Sequence, residues 1–229
     1  MNEILNKISG YGLIPVIKID RVDDAVPLCQ ALMEGGLPVA EITFRTEAAE
    51  ESIKRVSRAN LNILLGAGTI LNIDQVKRAV DAGASYLISP GFNRQVVEYC
   101  IKNGITITPG AITPTEVQYL IEYALEVAKF FPAEQAGGLA MIKALSAPFP
   151  QMRFIPTGGI NAKNLLDYLA LKNVIACGGS WMVPDDLIVS GQFDQIRTLV
   201  EEAVALVESS NNKGRGPDGS IDGWLGMPS

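Results

Sequence analysis

The amino-acid sequence predicts an α/β fold, a (β/α)8 barrel of the TIM type with a short extra helix at its N-terminus. Three observations carry that expectation. Eight short, near-continuously apolar runs recur along the chain, each followed by an amphipathic stretch or a plausible helical turn. Strands buried on both faces that alternate with helices make a parallel sheet covered on its outer face. The 229 residues are 48% hydrophobic, which suffices for one large core of barrel size. Glycines crowd the ends of the apolar runs, where backbone must approach a ligand closely. Eight repeats favour a closed barrel, and a doubly wound open sheet is the alternative.

The elements follow in order. Residues 1–9 read as the extra helix, placed to plug the bottom of the barrel. The expected strands are 13–19, 38–44, 62–65, 86–88, 105–108, 127–131, 153–155 and 174–177, all short and β-branched or apolar. The amphipathic stretches 23–34, 47–58, 73–82, 94–103, 114–124 and 161–169 read as the covering helices, with a last helix over 193–209. Thr46 is expected to cap the helix over 47–58, with Glu47 in its first turn where negative charge is favoured. Residues 1–209 thus form one barrel domain. From Ser210 the composition turns to Gly, Pro, Asn and Ser, and 210–229 is expected to be a tail without fixed structure.

Composition excludes several function classes. The formal charge is −6 and no Lys/Arg stripe appears, so nucleic acid is not an expected partner. No apolar run reaches the roughly 20 residues that span a membrane, and the first seven residues hold no signal core. Cys29, Cys100 and Cys177 show no CxxC spacing and read as buried thiols of a reducing cytoplasm. There is no histidine, which removes His-based triads, His-ligated zinc and imidazole acid/base chemistry. No acidic cluster has metal-ligand spacing, so no metal is expected.

In such a barrel the chemistry sits at the C-terminal strand ends. The sixth strand carries Lys129 inside Val127-Ala128-Lys129-Phe130-Phe131-Pro132. An ammonium in apolar surroundings must be paired, snorkel to water or give up its proton. A neutral amine there attacks ketones to form a Schiff base. Residues two apart on a strand share a face, so Glu41, Thr43 and Arg45 at the end of the second strand point together. Glu41 is then an acid/base group or a structural partner of Arg45 or Lys129, and Arg45 an anion ligand or a salt bridge at the strand end. Thr157-Gly158-Gly159 and Gly178-Gly179-Ser180 follow the last two strands, the recurrent phosphate position of these barrels; tight turns are the plainer reading. Lys143 and Lys18 read as surface lysines, and Tyr119, Tyr123 and Tyr168 as packing residues.

The set Ala40-Glu41-Ile42-Thr43-Phe44-Arg45-Thr46-Glu47, Gly66-Ala67-Gly68-Thr69, Ser89-Pro90-Gly91, Lys129-Phe130-Phe131-Pro132-Ala133-Glu134, Pro156-Thr157-Gly158-Gly159 and Gly178-Gly179-Ser180-Trp181 closely resembles the 2-keto-3-deoxy-6-phosphogluconate (KDPG) / 4-hydroxy-2-oxoglutarate (KHG) aldolases. The resemblance covers residues 4–209 in order. It implies a class I aldolase that cleaves KDPG to pyruvate and glyceraldehyde 3-phosphate, or 4-hydroxy-2-oxoglutarate to pyruvate and glyoxylate. Lys129 would form the Schiff base and Glu41 would be the general acid/base, helped by a water. Arg45 and Thr69 would hold the pyruvyl carboxylate. Thr157, Gly158, Gly159, Gly179 and Ser180 would hold the distal anion, with Thr43, Pro90 and Phe131 lining the pocket. It further implies a cytoplasmic homotrimer that needs no cofactor and takes a small 2-keto acid. One departure is the turn Tyr123-Ala124-Leu125-Glu126, which lacks an expected glycine. Two other readings stand beside this one: a phosphate-binding barrel isomerase or synthase, and a non-enzymatic trimeric scaffold.

Overall fold

The computed structural model describes residues 1–213. Eight parallel strands alternate with helices along the chain: β1 (Leu13–Ile17), β2 (Val39–Thr43), β3 (Leu64–Gly68), β4 (Tyr86–Ile88), β5 (Ile107–Thr108), β6 (Val127–Phe130), β7 (Arg153–Pro156) and β8 (Cys177–Gly179). The α-helices are α1 (Glu3–Tyr11), α2 (Ala25–Glu34), α3 (Ala49–Arg58), α4 (Ile73–Asp81), α5 (Arg94–Lys102), α6 (Pro114–Glu122), α7 (Gly138–Ser146), α8 (Leu165–Leu169), α9 (Asp185–Val189) and α10 (Phe193–Lys213). Of these, α7 and α9 lie where no covering helix was delimited from the sequence.

Six strands form one curled parallel sheet in the order β5-β4-β3-β2-β1-β8, and β6-β7 form a second, two-stranded one. Isolated parallel bridges join them: Gly110 to Lys129 on one side, and Phe154 to Val174 and Thr157 to Gly178 on the other. Strands β1, β2, β4 and β6 are buried at nearly every position, as strands covered on both faces must be. Helix starts are set locally. Asn2, Asn72 and Asn93 each accept a backbone N–H in the first turn. Thr113 and Glu116 make a reciprocal capping box with Pro114 at the first position.

Some elements differ from expectation. β3 begins two residues late and runs through Gly68, because Gly66 and Gly68 pair in the ladder opposite Glu41 and Thr43. A Cβ at Gly66 would lie 2.2 Å from the ring of Tyr86, so that side chain fills the gap. β8 is shifted to the glycines as well, and Val174 makes only a bridge. α3 starts at Ala49 and has no side-chain cap; Thr46 instead donates its hydroxyl to the Ile19 carbonyl, and Glu47 stands exposed ahead of the helix. α10 runs to Lys213, past the expected end at 209. The rest of the expected tail, from 214, lies outside the described residues.

α1 lies across the N-terminal side of β5 and β6. Asn2 donates to Thr106 Oγ1 at 2.9 Å, and the Met1 amine pairs with Glu126 at 2.7 Å. A cavity of 320 Å³ remains between this helix and the starts of those strands, so the helix covers this end without filling it. No helix among the described residues is long and apolar enough to cross a membrane.

Candidate active site

β6 carries Lys129 and β2 carries Glu41, 88 residues apart in sequence. Lys129 Nζ stands 3.2 Å from Glu41 Oε1, and the two residues are only 5% and 1% exposed. Lys129 therefore does not snorkel. The apolar strand positions on either side bury it, and a carboxylate meets it there, which is what a buried cation requires. The amine also lies 5.3 Å from the Phe131 ring centroid. Lys143 is exposed on α7, and Lys18 pairs with Asp20 at 2.6 Å on the surface.

A cavity of 190 Å³ opens at the C-terminal strand ends. Arg45, Phe131, Thr157, Gly158, Gly159, Gly179 and Ser180 line it, joined by Val16, Ile160 and Gly178. Thr43, Thr69 and Pro90 do not, and neither do Lys129 and Glu41, which stay buried. Thr43 is buried beneath, donating its hydroxyl to the Ile17 carbonyl at 2.8 Å and accepting from Arg45 Nε at 3.0 Å. Pro90 packs its carbonyl against Gly110, where a Cβ would lie 2.1 Å away. Thr69 leaves β3 at φ +59°, a left-handed conformation that strains a β-branched residue. β2 ends at Thr43, so Arg45 reaches the cavity from a turn, its N–H bonded to the Thr43 carbonyl at 2.8 Å, rather than from the strand face. No carboxylate among the described residues pairs with Arg45, which lines the cavity.

The loop after β7 is held so that its donors face away from the protein's own acceptors. The Thr157 carbonyl accepts from Ala133 N–H at 2.8 Å and the Gly158 carbonyl from Glu134 N–H at 3.2 Å. The Gly159 carbonyl accepts from the Asn161 and Asn164 amides at 3.1 and 3.0 Å. In a trans peptide the C=O and the following N–H point in opposite directions. Three pinned carbonyls thus turn the N–H groups of Gly158, Gly159 and Ile160 the other way, and all three residues line the cavity. Successive free N–H groups of this kind make an anion-binding nest. Across from it, Gly178 gives Thr157 its place: a Cβ there would lie 2.3 Å from Thr157 Oγ1.

Sequence reasoning missed Tyr86. Its ring fills the Gly66 gap, its hydroxyl donates to the Ala40 carbonyl at 3.0 Å, and it is buried close to Glu41. Burial, with the Glu41 charge second, pushes its phenol well up. The signal was present in the two glycines spaced two apart in β3, which leave one face of that strand without side chains. Tyr168 is buried as expected but also donates to Glu134, so it is more than packing. Tyr119 stacks on Phe92 with centroids 5.4 Å apart and stays 44% exposed.

A parallel sheet that buries one amine against one carboxylate below an anion nest places this chain among α/β proteins equipped for carbonyl chemistry at an amine. Within that class the chain belongs to the KDPG and KHG aldolase family, whose family model matches residues 4–199. It is 44% identical over 207 residues to the 2-dehydro-3-deoxy-phosphogluconate aldolase of Treponema pallidum (strain Nichols), covering 90% of this chain and 99% of that one. It is 42% identical over 192 residues to the KHG/KDPG aldolase of Escherichia coli (strain K12), covering 84% and 90%. Among solved structures it resembles the KDPG aldolase of Legionella pneumophila with pyruvate captured at low pH as a covalent carbinolamine intermediate. The TM-score is 0.85 at 39% identity, over 89% of this chain and 98% of that one.

Proposed function

We propose that this chain is a class I aldolase that cleaves KDPG to pyruvate and glyceraldehyde 3-phosphate through a Schiff base on Lys129. The observation that carries the reading is the buried 3.2 Å contact between Lys129 and Glu41. One proton transfer along that contact turns an ion pair into a neutral amine and a neutral acid. The amine attacks the C2 ketone, and the acid supplies the proton that lets the carbinolamine lose water. Glu41, then a carboxylate, takes the C4 hydroxyl proton. The C3–C4 bond breaks, its electrons pass into the iminium as an enamine, and the aldehyde leaves. Protonation of the enamine and hydrolysis of the imine release pyruvate and restore Lys129.

Arg45, with Thr69 at the neighbouring strand end, holds the pyruvyl carboxylate. Thr157, Gly158, Gly159, Gly179 and Ser180 hold the phosphate, and Phe131 walls the pocket above the amine. The nest of three N–H groups and the names of the relatives favour the phosphorylated substrate over 4-hydroxy-2-oxoglutarate. A phosphate-binding isomerase or synthase would not need a lysine on β6 beside a glutamate on β2. The bridges at both seams of the two sheets support one closed (β/α)8 barrel as the working form of the 1–209 domain. The enzyme acts in the cytoplasm as a homotrimer, which would cover exposed apolar groups such as Leu71, Ile101 and Tyr119.

Borohydride reduction with labelled pyruvate, followed by peptide mapping, tests the reading. Label on Lys129 is expected. Label on Lys143 or Lys18, or no adduct, overturns it.

A further inference from the structure

We infer that Glu134 and Tyr168 are positioning residues for the distal-anion loop, an inference that rests on the aldolase reading above. Neither lines the cavity. Glu134 follows the lysine strand by a few residues, and its stem lies over Gly159: a Cβ at that glycine would stand 2.5 Å from Glu134 Cγ. Its carboxylate accepts the hydroxyl of Tyr168, a fully buried residue on α8. A second glycine clears the same contact. A Cβ at Gly138 would lie 2.9 Å from the Tyr168 hydroxyl and 3.3 Å from Glu134 Oε1. Two glycines with positive φ, Gly138 and Gly159, thus leave room for one side-chain pair.

That pair fixes the relation between the two halves of the site. The backbone N–H of Glu134 already holds the Gly158 carbonyl at 3.2 Å. The Tyr168 hydrogen bond ties the same residue to the helix that follows the Gly158-Gly159 loop. The outgoing turn of the lysine strand and the anion nest therefore move as one body.

The test is steady-state kinetics with KDPG, borohydride trapping with pyruvate, and thermal melting, on Tyr168→Phe, Glu134→Ala, Glu134→Gln and wild type. Loss of one hydrogen bond to a charged group, felt as substrate binding rather than chemistry, raises KM for KDPG by about tenfold in Tyr168→Phe and Glu134→Ala. A fourth variant combining Tyr168→Phe with Glu134→Ala should be no worse than either single one, because both remove one contact. Trapping of pyruvate, which lacks the distal anion, stays at the wild-type rate. Glu134→Gln keeps an acceptor for the phenol and keeps the wild-type KM. If Glu134→Ala fails to fold, Tyr168→Phe, which deletes a single oxygen, decides. An active wild type with unshifted KM in Tyr168→Phe overturns this inference alone. So does an equal loss of trapping and cleavage, which marks a merely structural contact. A wild type that neither traps pyruvate nor cleaves KDPG overturns the aldolase reading, and this inference with it.

Discussion

The carboxylate of Glu41 occupies the space that a side chain at Gly68 would need: a Cβ there would lie 2.0 Å from Glu41 Oε1. In the β2–β3 ladder Glu41 is opposite Gly66 and Gly68 is opposite Thr43. Strand side chains lean along the strand, and this glycine lets Glu41 lean toward the C-terminal strand ends, where Lys129 meets it. The acid is thus aimed by an absence of atoms on the neighbouring strand.

Gly68→Ala should therefore act as an active-site variant although residue 68 bears no functional group. Overpacking of this kind costs about 1–3 kcal/mol, and the carboxylate is the group that must shift. A misplaced acid/base group lowers kcat by about 10²-fold. Steady-state kinetics beside a thermal melt would separate the two effects; wild-type kcat in a folded variant would show that Glu41 need not sit where it does.

Glu41→Gln should slow turnover by about 10²–10⁴-fold, the usual cost of a lost general acid/base. Imine formation slows as well, since its proton transfers use the same carboxylate. Near-normal kcat would reduce Glu41 to a structural partner of Lys129.

Ser180 lines the cavity beside the nest. Ser180→Ala should raise KM for KDPG by about tenfold, as expected for one hydrogen bond to a charged group, and leave pyruvate trapping unchanged. A KM identical to wild type would place the phosphate elsewhere.

Ala124 stands at φ +54° in the turn between α6 and β6, where the corresponding turns before β4 and β5 use Gly83 and Gly104. The left-handed conformation costs a residue with a Cβ about 1–2 kcal/mol, partly offset by the greater chain entropy that glycine loses on folding. Ala124→Gly should stabilise by about 0.5–1 kcal/mol and raise Tm by about 1–4 °C. Its kcat should match wild type, because Ala124 lies at the opposite end of β6 from the reacting groups. A lower Tm would refute the strain.

All three cysteines are free and fully buried. Burial pushes the Cys29 thiol up to about 12 and the Cys100 thiol up to about 11, and raises Cys177 too. A raised thiol stays protonated across neutral and mildly basic pH, and the thiolate is the reactive form. Iodoacetamide at about pH 8 should leave the native protein unlabelled and label every cysteine after denaturation. Rapid labelling of the native chain would show an opening that the packed core does not predict.

By itself the sequence determined the alternation of strand and helix, the place of Lys129 within an apolar strand and the gathering of glycines at strand ends. These are local properties: periodicity sets which elements form, and an apolar run sets what is buried. The tertiary structure decided that Glu41, which the sequence left open as a partner of Arg45 or Lys129, meets Lys129, because β2 and β6 belong to different sheets and approach only in the folded chain. It also decided that Lys129, Glu41, Thr43, Thr69 and Pro90 stay outside the cavity lining while Val16, Ile160 and Gly178 join it. Strand-end position says which side of the sheet a residue serves, but whether it reaches a cavity depends on the turn it sits in and on the neighbour that fills the space. The glycines of β3 show the difference most directly. Alone they read as a strand end where backbone approaches a ligand. Beside Tyr86 and Glu41 they are the room into which those two side chains pack.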